Sequence, residues 1–278
     1  MELSIKMASV EEILPWRDLY RQEMNCQIVC DALDSRKGWT QPYLLVAGAA
    51  IAGFGSVAVG GPWQGKSTVF AFYVLPQYRS RVFDLFSALL TASGATMIEA
   101  QTNDSLLSVM LHTFTHNIAS ESILFHDKLT TTHSPPGAIF RRATPDDAVQ
   151  ILSHDLDSGA KWAVEFEGTI AAAGDILFHY NRPYGDIYMK VAEPFQRRGL
   201  GAYLVQELKR IGYESGNVPA ARCNPMRAHS DRFSFALNLG DHTSVPAGAP
   251  AGRQRTQCNP IRDSVAHAHF TEGDVSRA

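Results

Sequence analysis

The pattern of apolar and polar positions runs through the same series of elements twice. Residues 43–54 hold two apolar runs separated by a glycine turn, which predicts a β-hairpin, and residues 162–174 repeat the pattern. A strand-like run and then a helix-period run follow each hairpin, over 70–90 and again over 187–211. Corresponding positions lie about 120 residues apart, so the pattern indicates two copies of one unit.

The repeat sets the predicted fold class and the domain boundaries. Strands and helices alternate in each copy, so the class is α/β (α+β). The first unit is expected over 1–133, a polar linker over 134–138 and the second unit over 139–244. The segment 245–278 is rich in Ala, Pro, Gly, Arg and His without sustained alternation, which predicts an atypical tail and leaves disorder open.

Composition excludes several classes of protein. The chain is 45% hydrophobic and 19% charged with a formal net charge of −3, which lacks the cationic surplus that general nucleic-acid binding needs. Glycines interrupt its longest apolar stretch, around 43–59, and charged residues interrupt the N-terminal segment where a signal peptide would be apolar. We therefore expect a cytoplasmic protein that binds neither nucleic acid nor membrane.

The cysteines and histidines form no recognisable metal motif. Cys26 and Cys30 would share a helix face, but no further Cys or His lies near them in sequence. His112 and His116 have zincin spacing, yet Thr113 stands where a zincin has its glutamate. We therefore expect reduced thiols and no metal site.

One segment combines residue types that bind an anion. Residues 196–202, Gln-Arg-Arg-Gly-Leu-Gly-Ala, lie between a strand that ends at Val191 and a helix-period run. Gly199 and Gly201 permit close approach to the backbone, and the first amides of a helix lack partners within the helix. The helix dipole also favours an anion there, so the loop predicts a phosphate or pyrophosphate ligand.

Two common phosphate motifs do not fit this loop. A Walker loop would end in Gly-Lys-Ser/Thr, whereas Ala202 and Tyr203 follow Gly201. A dinucleotide fingerprint would have a third glycine at position 204, where this chain has Leu204.

The segment instead resembles the acyl-coenzyme A loop of the GCN5-related N-acetyltransferases (GNAT). The resemblance rests on the strand, the Gln-x-x-Gly-x-Gly pattern, the following helix and the upstream hairpin, and it covers about residues 139–230. The first half of the chain resembles a degenerate second copy. The resemblance implies two GNAT-like units, each a mixed, mostly antiparallel sheet flanked by helices, and acetyl-coenzyme A (acetyl-CoA) as acyl donor.

The resemblance also implies which residues contact the donor. Backbone groups of Met189 and Val191 would face the pantetheine arm, and amides of 197–202 would hold the pyrophosphate. Arg197 and Arg198 could equally be solvated loop cations, and Asn224 a strand-end cap. The implied donor-binding residues are Met189, Val191, Gln196, Arg197, Arg198, Gly199, Leu200, Gly201, Ala202 and Asn224.

The first copy lacks the features that hold the anion. Val82 and Asp84 stand where the second copy has its two glycines. Their Cβ atoms would fill the approach path, and the carboxylate would repel a pyrophosphate. We therefore predict one cofactor site, in the second unit, and a scaffolding or substrate-shaping role for the first.

The strand before the loop carries the candidate catalytic residues. Alternation places Asp186 and Tyr188 on one face of this strand, and Met189 and Val191 on the other. Asp186 is the candidate general base and Tyr188 the candidate proton donor. A turn acid and a half-buried sheet tyrosine remain open as the alternatives for these two residues.

Together these assignments predict a GNAT-type N-acetyltransferase, an acyltransferase that moves acetyl from acetyl-CoA to a primary amine by direct attack in a ternary complex. The alternative is a catalytically inactive module that binds acyl-CoA or acts as a scaffold, because the family pattern fails after Asn224 and puts activity in doubt. The acceptor, a small-molecule or protein amine, and the oligomeric state stay open.

Overall fold

The structure of the protein, a computed structural model, divides into two units. It describes residues 2–127, 132–156, 159–223 and 263–269. Among these, the first unit takes 2–123, 179–181 and 263–269, and the second unit takes the remainder.

The elements follow one another in nearly the same order in both units. In chain order they are β1 (Leu3–Met7), α1 (Val10–Met24), β2 (Thr40–Ala47), β3 (Ala50–Ala58), β4 (Thr68–Val74), α2 (Val82–Ser93), β5 (Met97–Gln101), α3 (Ser105–Phe114), β6 (His116–His126), β7 (Ala138–Arg142), α4 (Ala148–Ser153), β8 (Trp162–Phe166), β9 (Thr169–Leu177), β10 (Tyr184–Val191), α5 (Leu200–Glu214), β11 (Val218–Cys223) and β12 (Asp263–His269).

In the first unit the strands follow the order β1-β2-β3-β4-β5-β12, and β6, whose residues 116–123 belong to this unit, is the next strand after β12. From β1 to β12, all neighbouring strands are antiparallel except β4 and β5, which are parallel. Helices α2 and α3 pack around Phe72, Phe86 and Met110, whereas α1 contributes Ile13 and Tyr20 to a second cluster. Because both faces of the sheet are covered, β4 is buried along its whole length, which explains its nearly unbroken apolar sequence.

In the second unit the strands follow the order β11-β10-β9-β8-β7, and the end of β6 lies beside β11. Strands β10 and β11 are parallel, and the pairs from β10 to β7 are antiparallel. Helix α5 buries Leu200, Leu204 and Leu208 against one face of the sheet. Helix α4 contributes Ile151 to a separate cluster that includes Ala173 of β9.

These elements confirm the predicted fold class, two mixed and mostly antiparallel sheets flanked by helices. The predicted hairpins form as β2–β3 and β8–β9, and each is followed by a strand and a helix, β4 and α2 or β10 and α5. No helix in the described part of the chain has both the length and the apolar character needed to cross a membrane.

The unit boundary differs from the predicted linker over 134–138. The structure divides the chain between Ile123 and Leu124, inside β6. The sequence pattern does not mark this position, because β6 is one continuous strand that runs through it.

One strand lies in the tail that the sequence predicts to be atypical. Strand β12, within 245–278, pairs with β5 from Val265↔Gln101 to His269↔Met97. A strand of mostly small residues has a weak sequence signal, and its backbone partners come from far away in the chain. The remainder of the predicted tail, like Asn224, lies outside the described residues.

Candidate functional site

The candidate site begins where β10 and β11 separate. Their parallel pairing runs from Tyr184↔Val218 to Asp186↔Ala220, whereas β10 continues to Val191. On its other side β10 stays paired with β9 as far as Val191↔Ala172. Within the described residues, the second half of β10 therefore has one edge without a paired strand, which we call the open edge.

Backbone groups of Met189 and Val191 lie on the open edge. The Ala192 amide donates to the carbonyl oxygen of Ala171, the residue next to β9's Ala172, at 2.9 Å. Successive residues of a strand direct their backbone groups to opposite sides, so the amides of Val191 and Met189 point away from β9. Gln196 Nε2 donates to the Val191 carbonyl oxygen at 3.2 Å and holds the following loop against the strand end.

The loop after β10 turns through two left-handed residues. Arg197 has φ 65°, and Gly199, which caps α5, has φ 81°. No side chain of the described residues caps this helix start. The first-turn amides therefore remain available to an anion beside the open edge.

The two loop glycines have different structural roles. A Cβ atom added at Gly201 would lie 2.9 Å from Met189 Cε and 3.2 Å from Val191 Cγ2, so this glycine allows α5 to pack closely on β10. At Gly199 an added Cβ atom would lie 2.3 Å from His133 Nε2. The Cβ direction of Gly201 faces the sheet, so a role of this glycine in ligand approach stays a prediction that concerns its backbone.

The two loop arginines also differ. The Arg198 guanidinium lies 5.7 Å from the ring centres of both Phe166 and Phe195, and 3.6 Å from Glu167 Oε1. It is thus held toward the β8–β9 turn. Arg197 is exposed at the left-handed turn.

Two further donor-binding candidates can offer only backbone groups to a phosphate. The Leu200 side chain is buried in the core under α5. Ala202 is partly buried in the first turn of the helix and has no polar side-chain atom.

The catalytic candidates lie on the face of β10 opposite α5. Ile187 packs into the α5 cluster, whereas Tyr188 packs against the α4 cluster, so the predicted alternation holds. Asp186 is buried, and its Oδ2 lies 3.5 Å from Nε of the half-exposed Arg222.

Sequence reasoning missed a second acid on this face. Asp175 of β9 lies directly opposite Tyr188, is buried, and its Oδ2 lies 2.9 Å from Nζ of the exposed Lys161. The sequence did contain a signal, because Asp175 is the single acid in the otherwise apolar strand β9. A buried carboxylate without a partner would be costly, so an acid at such a position indicates a specific partner or role. The structure thus gathers Asp175, Asp186 and Tyr188 on one face of the sheet.

The corresponding region of the first unit is built differently. Strands β4 and β5 pair only at Thr68↔Met97 and Val69↔Ile98 and then separate. Gln101 of β5 accepts a hydrogen bond from the Val29 amide at 2.7 Å and donates one to the Gln27 carbonyl oxygen at 2.9 Å. Residues 27–30, which we call the filling segment, are thus held beside Gln101 at the end of β5, the strand that separates from β4.

A mixed sheet whose central parallel pair separates beside a loop and a helix start defines the GNAT fold, and this chain has that fold. An acetyltransferase of the GNAT family from Colwellia psychrerythraea has a TM-score of 0.68 at 11% identity, over 96% of this chain and 100% of that one. A tandem GNAT protein from the clavulanic acid biosynthesis pathway, solved without AcCoA, has a TM-score of 0.59 at 13% identity, over 96% and 98%. A GCN5-related N-acetyltransferase from Sphaerobacter thermophilus has a TM-score of 0.55 at 13% identity, over 95% and 94%.

No protein-family model matches the chain, and no curated protein does. Identities this low establish the fold, which hosts more than one function, and leave the chemistry to the residues of the site.

Proposed function

We propose that the chain is a GNAT-type N-acetyltransferase that transfers acetyl from acetyl-CoA to a primary amine by direct attack in a ternary complex. The observation that carries the proposal is the open edge of β10 beside the left-handed loop at the start of α5. The similarity in fold to GNAT proteins also supports this proposal.

The site suits the parts of an acyl-CoA. An arm that contains amide groups can hydrogen-bond to the Met189 and Val191 backbone much as an added strand would. Amides of residues 197–202 and the Arg197 guanidinium would hold the pyrophosphate, since helix-start amides and cations favour anions. Gln196 would act on the ligand indirectly, by fixing the loop to the Val191 carbonyl.

The transfer needs three things from the protein. The amine nitrogen attacks the thioester carbon as the C–S bond breaks, a base takes a proton from the nitrogen, and the sulfur leaves as a thiol. A backbone amide of the open edge would polarise the thioester oxygen. We assign the base to Asp186 and the proton donor to Tyr188, which share the face of β10 opposite α5.

We assign the donor to the second unit alone. In the first unit the filling segment lies against Gln101 of β5, and Val82, with φ −59°, stands at the position of left-handed Gly199. A scaffolding or substrate-shaping role follows for the first unit. The acceptor stays open between a small-molecule amine and a protein amine, and the expected cytoplasmic location stays a prediction.

The test combines binding and turnover. Calorimetric titration with acetyl-CoA should show saturable binding, and thiol release should follow with at least one member of a panel of small amines, amino acids and lysine peptides. Absence of binding would contradict the proposal. Binding without thiol release across the panel would favour the inactive acyl-CoA-binding module.

A further inference from the structure

A histidine outside the predicted loop lies directly against it. His133 is exposed, and its Nε2 lies 2.3 Å from where a Cβ atom of Gly199 would be, so the imidazole lies directly against the backbone of this glycine. His133 belongs to the second unit, just before the predicted linker. The imidazole nitrogens make no hydrogen bond within the described residues.

The backbone of His133 is fixed by one side chain of α5. The His133 amide donates to Gln206 Oε1 at 2.6 Å, and Gln206 Nε2 donates to the His133 carbonyl oxygen at 3.1 Å. Gln206 lies two turns along α5 from Gly199, on the same side of the helix. This paired contact fixes the main chain of residue 133 and leaves its imidazole free to bond elsewhere.

We infer that His133 is a further donor-binding residue, whose imidazole donates a hydrogen bond to the diphosphate of the bound acyl-CoA. The inference rests on the proposed function, because it takes the loop at Gly199 as the diphosphate site. The imidazole of His133 would supply a ring N–H to the diphosphate, beside the first-turn amides of α5. No side chain of the described residues caps these amides. Gln206 is then a positioning residue that acts through His133.

The test measures the dissociation constants of CoA and of 3′-dephospho-CoA, which keeps the diphosphate, for full-length variants. His133→Ala should weaken binding of both ligands by about tenfold, the loss of one hydrogen bond to a charged group. His133→Gln, which keeps a donor, should lose less. His112→Ala, at an exposed histidine of α3, is the matched control and should bind like wild type.

The positioning role of Gln206 has its own readout. Gln206→Ala should weaken CoA binding by a smaller factor than His133→Ala. The double variant should bind no more weakly than His133→Ala, because the glutamine acts only through the histidine.

Four results would overturn the inference. Unchanged CoA affinity in His133→Ala would remove the inference. Tighter binding of CoA in this variant would show that the imidazole obstructs the ligand. Weaker binding of CoA but not of dephospho-CoA would assign the imidazole to the 3′-phosphate. Failure of the wild-type protein to bind CoA would remove the proposed function together with this inference. Wild-type binding with unchanged His133→Ala affinity would remove this inference alone.

Discussion

The two units share a turn after the central strand but differ in the loop that follows it. In both, a side chain after the central strand donates to the carbonyl of the strand-ending valine: Arg79 Nε to Val74 at 3.1 Å, and Gln196 Nε2 to Val191 at 3.2 Å. The parallel pairing also stops at the same distance before each valine, at Val69↔Ile98 and Asp186↔Ala220. This contact therefore maintains the fold and says nothing about ligand binding.

The difference lies in the features that follow. Among the described residues of these two loops, left-handed backbone occurs in the second unit, whereas the first unit has Arg81 at φ −111° and the filling segment beside β5. Val69 also stands at the position that corresponds to Asp186. The first unit thus has the architecture of this fold without the left-handed loop and without an acid at the position of Asp186.

The largest expected effect comes from adding an acid at the start of α5. Ala202→Glu should weaken acetyl-CoA binding by about a hundredfold or more, because a carboxylate in the first turn opposes the diphosphate. The same acid favours the helix dipole, so the thermal unfolding midpoint should not fall. Calorimetry and thermal melting measure the two effects.

Matched variants separate charge from packing. Ala202→Gln has nearly the same size without the charge and should bind far better than Ala202→Glu. Phe83→Glu adds an acid to the first turn of α2, where Phe83 is exposed, and should leave donor affinity unchanged. Loss of binding in Phe83→Glu would mean that the first unit holds donor.

The next effect concerns the acid that the first unit lacks. Asp186→Asn should lower kcat by about a hundredfold while leaving the dissociation constant of acetyl-CoA unchanged, as expected for removal of a general base. Steady-state thiol release measures kcat. Asp175→Asn is the comparison on the same face, and a larger loss there, with Asp186→Asn near wild type, would move the base to β9.

A smaller effect is expected in the filled region of the first unit. Gln101→Ala leaves the buried Val29 amide and the Gln27 carbonyl without their partner, which should lower the free energy of unfolding by about 2–4 kcal/mol. Urea unfolding measures this loss, and Gln64→Ala, at an exposed position, is the control. Appearance of a second acetyl-CoA site in Gln101→Ala would show that the filling segment alone excludes the donor.

The smallest effect is a pH dependence that differs in sign between two helix-capping acids. Burial raises the pKa of Asp104, which caps α3, to about 6, although Tyr20 and the Leu107 amide both donate to it. Hydrogen bonds from Arg141 hold the pKa of Asp147, before α4, well below its usual range.

The sign follows from which state binds more protons. The contribution of Asp104 to the free energy of unfolding should be largest below about pH 4 and should fall as pH rises to about 6. In this range the folded state binds more protons than the unfolded state, because the pKa of Asp104 is raised in the folded state. The Asp147 contribution should be complete above about pH 4 and lost on further acidification. Urea unfolding from pH 3 to 7 measures how the free energy of unfolding depends on pH. This dependence should become flatter between pH 4 and 6 in Asp104→Asn, and below pH 4 in Asp147→Asn. Profiles like that of the wild type would contradict these assignments.

Local pattern predicted much of the fold. Periodicity predicted both hairpins, strands β4 and β10 and helices α2 and α5, because each depends on neighbouring residues. The glycines also predict an anion-binding loop after β10, which stays a prediction, and the structure shows that Gly201 packs closely against Met189.

Contacts between distant residues could not be predicted. The Val29 amide donates to Gln101, which lies 72 residues later in the chain. His133 contacts Gly199 from a segment without a strand or helix pattern. The strand register places Asp175 opposite Tyr188, and only this pairing identifies Asp175 as a candidate site residue. Such pairings depend on topology, which a single sequence does not display through local periodicity.

The stoichiometry of acetyl-CoA binding tests the central claim most directly. Calorimetric titration of the full chain should give one site per chain, lost in Ala202→Glu and kept in Phe83→Glu. Two sites per chain, or a single site lost in Phe83→Glu and kept in Ala202→Glu, would contradict the assignment of the donor to the second unit.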